Sequence, residues 1–490
     1  TSQFKSAAAA AQALELSDRN LKPRMNTNKD ELKFRKSSIG VYSFPFVVQF
    51  WLLFLLAFTA SAEDWPQFLG LRQNGISGET GLLEKWPTNG PPLIWEKAIG
   101  TGYGAPSVRG NLLVFHHRIK NEEVIEALQA GDGKSVWRYA YPSEFVDPYG
   151  YNNGPRCSPV LTSNRCYTFG AEGKLLCLEL QSGKLVWQRD TQKDWNVPPA
   201  FFGVGSTPVL EGELLIVMIG AQPNSGVVAL DSNTGKTVWE SVGEKTWQGK
   251  PKTDWRGEPP VNWASEDKQA SYSTPIATTI HGKRHLLCFM RQGLVSLDPK
   301  SGEVNFTRWF RSQVPESVNA ATPVIVEDMV FISAAYYRIG SLLLKVRPDG
   351  KSFDEIWRST ALELHWTTPI YHDGYLYAFS GRNEPDAVMR CVEFKTGKVM
   401  WERDERWRPH SMKQPPVYGR GSFIKADGKL IALGEGGLLG LFKLNHEQPE
   451  EISRYQVPQL HYPSWAAPVL SEKRLYIRSE DHLVCLDLKR

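Results

Sequence analysis

The 490-residue chain is poor in the features that most often announce a chemistry. Its six cysteines include no C-x-x-C and no adjacent pair, and the chain has no H-E-x-x-H, no G-x-S-x-G and no P-loop. Those absences leave no zincin, hydrolase or nucleotide-phosphate signature to build on. Net charge is also missing where it would matter. Residues 1–62 hold eight Lys/Arg and four Asp/Glu, which is the whole of the formal +4 and leaves 49 basic and 49 acidic side chains for 63–490. A balanced domain exerts no net pull on nucleic acid, so no nucleic-acid partner is expected. Beyond residue 62 no apolar run is long enough to span a bilayer, and the mature chain is expected to be soluble.

The one long apolar run lies near the start. From Met25, a plausible start, the sequence reaches Lys33, Arg35 and Lys36, then an apolar core from Phe46 to Phe58 broken only by Gln49, then Ala60-Ser61-Ala62. Basic stretch, apolar core and small-x-small site are the parts of a signal peptide, and cleavage after Ala62 is the expectation. The alternative is an uncleaved anchor, since the run approaches spanning length. Residues 1–62 are accordingly set apart as an upstream segment plus signal peptide. Residues 63–490 are taken as one domain of an exported protein, periplasmic or extracellular.

What the chain has in quantity is turn formers and aromatics, with Gly 41, Pro 32, Trp 17, Tyr 17 and Phe 22, a mixture that suits many short strands. A repeat organises them. Its cleanest copy, 158–190, opens Ser-Pro-Val, passes two apolar runs split by Gly170 and Gly173, turns at Ser182-Gly183-Lys184 and closes on Trp187. Openings recur at Pro106, Pro159, Pro208, Pro275, Pro323, Pro369, Ser422 and Pro468, 46 to 67 residues apart, the size of a four-stranded propeller blade. Closing aromatics fall at Trp137, Trp187, Trp239, Phe306, Trp357 and Trp401. The Gly before Lys supplies the φ > 0 of the turn, and the Trp carries enough apolar area to pack on the next blade.

The eighth unit ends without a closing strand, while the early segment around Trp95 is strand-like and has no blade before it. An N-terminal strand completing the last blade would balance eight openings with eight closings and remove a free edge. The expected fold is therefore all-β, an eight-bladed propeller of four-stranded antiparallel blades closed by its N-terminal strand. One slot in the unit holds Ala127, Cys177, Ala229, Ser296, Cys391 and Cys485, so it accepts only small residues. Cys177, Cys391 and Cys485 are then small core hydrophobes far apart around a ring, and no disulfide framework is expected.

The unit Ala229-x-Asp231-x-x-Thr234-Gly235-Lys236-x-x-Trp239 resembles the tryptophan-docking repeat of the pyrroloquinoline-quinone (PQQ) propeller superfamily, over roughly residues 92–490. The opening Asp64-Trp-Pro-Gln-Phe-Leu-Gly is similar to the start of exported bacterial propellers of this type. The resemblance implies two kinds of function. Quinoprotein dehydrogenases hold PQQ and a metal ion, usually calcium, in the central funnel. The outer-membrane assembly lipoprotein is a scaffold without cofactor. Membrane kinases with such a sensor domain are a third relative, but no kinase segment occurs here. The chain also lacks the vicinal Cys-Cys of the eight-bladed alcohol dehydrogenases and a cytochrome C-x-x-C-H. A binding or protein-interaction scaffold is therefore the preferred reading, with a PQQ- and calcium-binding oxidoreductase as the alternative.

Loops entering each first strand cluster at one mouth of a propeller's axial channel. Here they bring Tyr103, Asn152, Asn153, Arg156, Tyr272, Asn319, His365, Trp366, Arg420, His461 and Trp465. Aromatic faces, amides and two guanidiniums suit a planar, anionic small molecule, unless these side chains merely plug the channel. No catalytic residue can be named and no metal site is expected. Asp231 to Gly235 resembles the start of a calcium loop but sits in the repeat's turn and lacks the distal Glu. His116 and His117 point to opposite faces of a strand. His281 and His285 flank what reads as a solvated hairpin. The insertion 241–270 is the loop expected to meet a partner.

Overall fold

The computed structural model describes residues 63–490 apart from 199–201, 222, 244, 248–269, 313–316 and 409–415. The proposed leader and most of the 241–270 insertion lie outside the described residues.

Eight four-stranded antiparallel sheets form the eight blades of a propeller. The first strands begin at Ser107, Val160, Val209, Ile276, Val324, Ile370, Ser422 and Val469. In seven blades that is the residue after the opening proline, whose missing N–H therefore breaks no ladder. The eighth blade is completed by Leu93–Ala98, which pairs antiparallel with His482–Asp487 and sets Trp95 opposite Cys485. The ring is closed by its N-terminal strand. Among the described residues, helix is confined to Thr191–Trp195 and two single 3₁₀ turns, and no helix is long and apolar enough to cross a membrane.

Burial explains why the strands read so differently. A middle strand such as Leu112–Ile119 has a blade on each face, so seven of its eight residues are buried and its apolar run is nearly continuous. An outer strand such as Ser135–Pro142 buries only Trp137 and Tyr141.

The closing tryptophan is the joint between blades. The indole N–H of Trp95 donates to the carbonyl of Ala130 at 3.0 Å, Trp137 to Leu180 at 2.8 Å and Trp187 to Ser232 at 2.9 Å. Trp239 reaches Pro299 at 3.1 Å, Trp357 reaches Phe394 at 2.9 Å and Trp401 reaches Asn445 at 2.9 Å. Each acceptor belongs to the following blade. The glycine of that blade's turn lies on the ring: a Cβ on Gly235 would come within 2.7 Å of Trp187, at a φ of 69° that side chains rarely adopt. The small slot is the cross-strand partner of the same aromatic. Ala127 faces Trp137, Cys177 faces Trp187, Ala229 faces Trp239, Ser296 faces Phe306 and Cys391 faces Trp401. Blade five departs from the rule, with Leu343 opposite Trp357. All six cysteines are free and buried.

One element was not visible in the repeat. Residues 64–77 run across the axial channel. Trp65 exchanges two backbone hydrogen bonds with Val108 of the first blade, and Pro66 accepts from Leu161 of the second. At the other end Gly75 lies against Ile370 of the sixth blade, and Gly75 and Ser77 bond Lys425 of the seventh. The second and sixth blades are opposite in a ring of eight, so Phe68 and Leu69, between these anchors, form a floor.

Candidate functional site

Above that floor lies an axial cavity of about 190 Å³, walled by the loops that lead into the first strands. Of the eleven residues expected at the mouth, Tyr103, Arg156, Tyr272, His365, Trp366, Arg420 and Trp465 line it, as do Tyr151, Phe202 and Tyr336. Asn152, Asn153, Asn319 and His461 do not; three of them brace the walls. The Asn152 amide donates to Glu480 at 2.6 Å, and Asn153 accepts from the backbone of Asp147 at 2.8 Å. Asn319 caps the carbonyls of Met290 and Phe310 at 2.8 and 3.0 Å. His461 is exposed and pairs with Asp481 at 3.3 Å.

Both guanidiniums are committed within the protein. Arg156 pairs with the buried carboxylate of Asp147 at 2.8 Å, donates to the carbonyls of Asn152 and Gly154, and lies over the rings of Tyr103 and Phe145. Burial lowers its pKa, the desolvation being only partly offset by Asp147. Arg420 binds Glu435 through Nε at 3.1 Å and Nη2 at 2.8 Å, and reaches Glu384 and the carbonyl of Arg382. Its guanidinium stands 4.6 Å from the centre of Trp366 and 5.5 Å from that of Trp465. Glu435, fully buried, also accepts the Trp465 indole N–H at 3.0 Å. Removing one partner of such a buried pair strands the other charge and is strongly destabilising.

Burial favours the neutral forms of His365, Tyr103 and Tyr272. Burial, with Arg420 and Arg382 nearby, lowers His365 to about 3. Burial raises the pKa of Tyr103, where Glu480 adds to the effect, and of Tyr272. All six thiols are pushed up by burial. Arg478, beneath the rim, donates to the carbonyls of Gly100, Gly104 and Ser479 and fixes the loop carrying Tyr103.

Sequence reasoning missed the acids, Asp147, Glu384 and Glu435, and the floor, Phe68 and Leu69. The available signal was physical: a guanidinium in a channel wall requires an acceptor. Other histidines resolve as structure. His116 contacts Glu123 at 3.1 Å, while His117 faces Glu126 and accepts from the Gly100 N–H, so the two diverge. His285 is buried on Ser296 at 2.8 Å rather than solvated, because its strand packs between blades. Asp231 caps its own turn through the N–H groups of Asn233 and Thr234. Among the described residues no group of three or more His, Cys, Asp or Glu is placed to hold a metal ion.

The family model described as outer membrane protein assembly factor BamB matches residues 120–403. Among solved structures, BamB from Moraxella catarrhalis is similar at 16% identity and a TM-score of 0.53, over 81% of this chain and 98% of that one. The quinohemoprotein alcohol dehydrogenase of Comamonas testosteroni is similar at 11% identity and 0.58, over 87% and 80%. A europium-containing methanol dehydrogenase follows at 14% and 0.50, over 85% and 89%. Identities this low carry the fold alone. No curated protein matches the chain.

Proposed function

The chain belongs to the family of the outer membrane protein assembly factor BamB, and from that premise we propose that it is an exported, non-catalytic propeller that works by binding. The ring is a rigid frame, and the aromatic mouth is the recognition surface for a protein partner or a small ligand. One observation carries this reading: the charged side chains lining the cavity, Asp147, Arg156 and Arg420, are all closed into ion pairs. A catalytic centre needs a base near the working pH or an activated nucleophile. Here the histidine is held neutral at about 3, and the thiols are buried and protonated. What is left free is aromatic area and a few uncharged polar atoms, among them the Trp366 indole N–H and the His365 Nδ1.

The second reading, a quinoprotein oxidoreductase, is favoured by the likeness to the quinohemoprotein fold. The donor set does not fit it. PQQ is a flat quinone bearing three carboxylates, and its calcium requires several oxygen ligands. The cavity's guanidiniums already hold protein carboxylates, and those carboxylates are locked as ion-pair acceptors.

Export is supported by the basic, apolar and small-x-small order of 33–62, and by Trp65, three residues past Ala62, being paired into the ring. The test uses the producing cell. Mature protein from the envelope or medium is expected to begin at Glu63. A photo-crosslinking residue in place of Tyr462, at the rim, should trap an adduct there. The same residue in place of Val238, on an outer strand, should not. Adducts at Val238 alone, or a chain that keeps 46–58, would overturn the proposal.

A further inference from the structure

The mouth has a two-tier construction that bears on what it binds. The upper tier is a cage of aromatic rings that touch edge to face or tilted. Tyr103 and Trp465 have centroids 4.9 Å apart at 42°, Trp366 and Trp465 5.0 Å at 45°, and Tyr151 and Trp465 5.5 Å at 62°. Phe202 and Tyr272 stand 5.6 Å apart at 57°. None of these pairs is parallel, and each is already in contact, so they leave no slot for a flat molecule to slide between. They leave a concave surface of ring faces. Tyr149, Tyr151 and Tyr462 continue it outward, each about half exposed to solvent.

The lower tier is uncharged and hydroxylic. The residue before the opening proline lines the cavity beneath the rings in six blades, with hydroxyls from Ser158, Thr207, Thr274 and Thr368 and methyls from Ala105 and Ala467. The Oγ1 of Thr368 accepts the Thr322 N–H at 3.2 Å, which leaves its O–H group as a donor, while Thr207 accepts the Ser158 N–H and also bonds Cys157.

Charge narrows the choice from both sides. Resident guanidiniums cover ring faces of the cage: Arg156 over Tyr103, Arg420 over Trp366 and Trp465, and Arg382 over Tyr336 at 4.3 Å. A cationic ligand would be repelled by those like charges beside the rings, whereas a neutral one would not. An anionic ligand would meet the carboxylates of Glu384 and Glu480, while Arg156 and Arg420 beside them are already held in ion pairs. A planar aromatic ligand lacks its slot. What remains is a neutral, puckered molecule with apolar C–H faces and many hydroxyls.

On the reading that the mouth is a binding surface, we propose that it binds uncharged carbohydrate, with saturated sugar rings packed on Trp465, Tyr151 and Tyr462 and hydroxyls meeting the Ser/Thr tier below. The exposed rim rings extend past the cavity, so the ligand is an oligosaccharide, one end in the cavity and the next units on the rim.

The purified full-length protein is titrated by calorimetry and tryptophan fluorescence against neutral hexose and pentose oligomers, with uronic-acid and amino-sugar oligomers as charged counterparts. Saturable binding of a neutral oligomer is expected, with a change in tryptophan emission and weaker binding of both charged series. Tyr462→Ala and Tyr151→Ala, at exposed positions, should weaken binding roughly three- to tenfold, what one aromatic contact contributes, with melting unchanged. Equal or tighter binding of a charged series, rim substitutions without effect, or no binding of any oligomer would each overturn the assignment. Rim crosslinking distinguishes the two levels. A protein adduct at Tyr462 with no oligosaccharide binding keeps the binding reading and removes the carbohydrate. Neither adduct nor oligosaccharide removes both.

Discussion

Deleting residues 63–98 is expected to leave a protein that aggregates or melts roughly 10–20 °C lower. The segment holds Trp65, Trp86 and Trp95, all buried. Losing a buried tryptophan costs about 3–5 kcal/mol, and a kilocalorie moves the melting point of a domain this large by about 1 °C, so the three tryptophans together account for a shift of this order. The deletion also leaves the last blade with three strands and exposes His482–Asp487 as an open edge, a template for pairing with another chain. The same cut removes the floor formed by Phe68 and Leu69. Scanning calorimetry with light scattering checks this. Unchanged melting without aggregation would mean that the ring closes by other means.

Trp187→Ala is expected to destabilise the protein by about 3–5 kcal/mol in denaturant titration. The indole is 9% exposed, donates to Ser232 of the next blade, and lies between Cys177 across the strand pair and Gly235 above. Three contacts fail together, and the two blades lose their shared joint. Trp187→Phe keeps much of the area and loses the hydrogen bond, so it should cost less, the missing bond itself amounting to about 1 kcal/mol. A loss below about 1 kcal/mol for the alanine variant would show that Trp187 does not join blades.

The ring was legible because a propeller is built from local units. Opening proline, turn glycine, small residue and closing tryptophan all lie within one stretch of about 50 residues, and each has a steric reason to recur. Even the closure was readable, as an unmatched Trp95 at one end and a missing strand at the other. The mouth was legible only as a set of positions. Tyr103, Arg156 and Trp465 could be assigned to one end of the channel, but what they do depends on contacts between distant parts of the chain. Tyr103 bonds Glu480, 377 residues away, and Arg420 is held by acids from two different loops. No repeat encodes those pairs, because each occurs once. They change the chemistry, since two guanidiniums that read as anion receptors from sequence are neutralised within the structure. The floor escaped for the opposite reason: Phe68 and Leu69 sit in a motif outside the repeat, with no periodicity to place them.

The charged groups lining the cavity are matched within the protein, and its free surface is aromatic, aliphatic and hydroxylic. The most direct test is a calorimetric titration of the purified protein with PQQ, with and without calcium, followed by dye reduction on addition of alcohols and aldoses. The expected result is no stoichiometric uptake of PQQ and no substrate-dependent reduction. Saturable one-to-one binding that needs calcium, with turnover on adding substrate, would contradict it and make the chain an oxidoreductase.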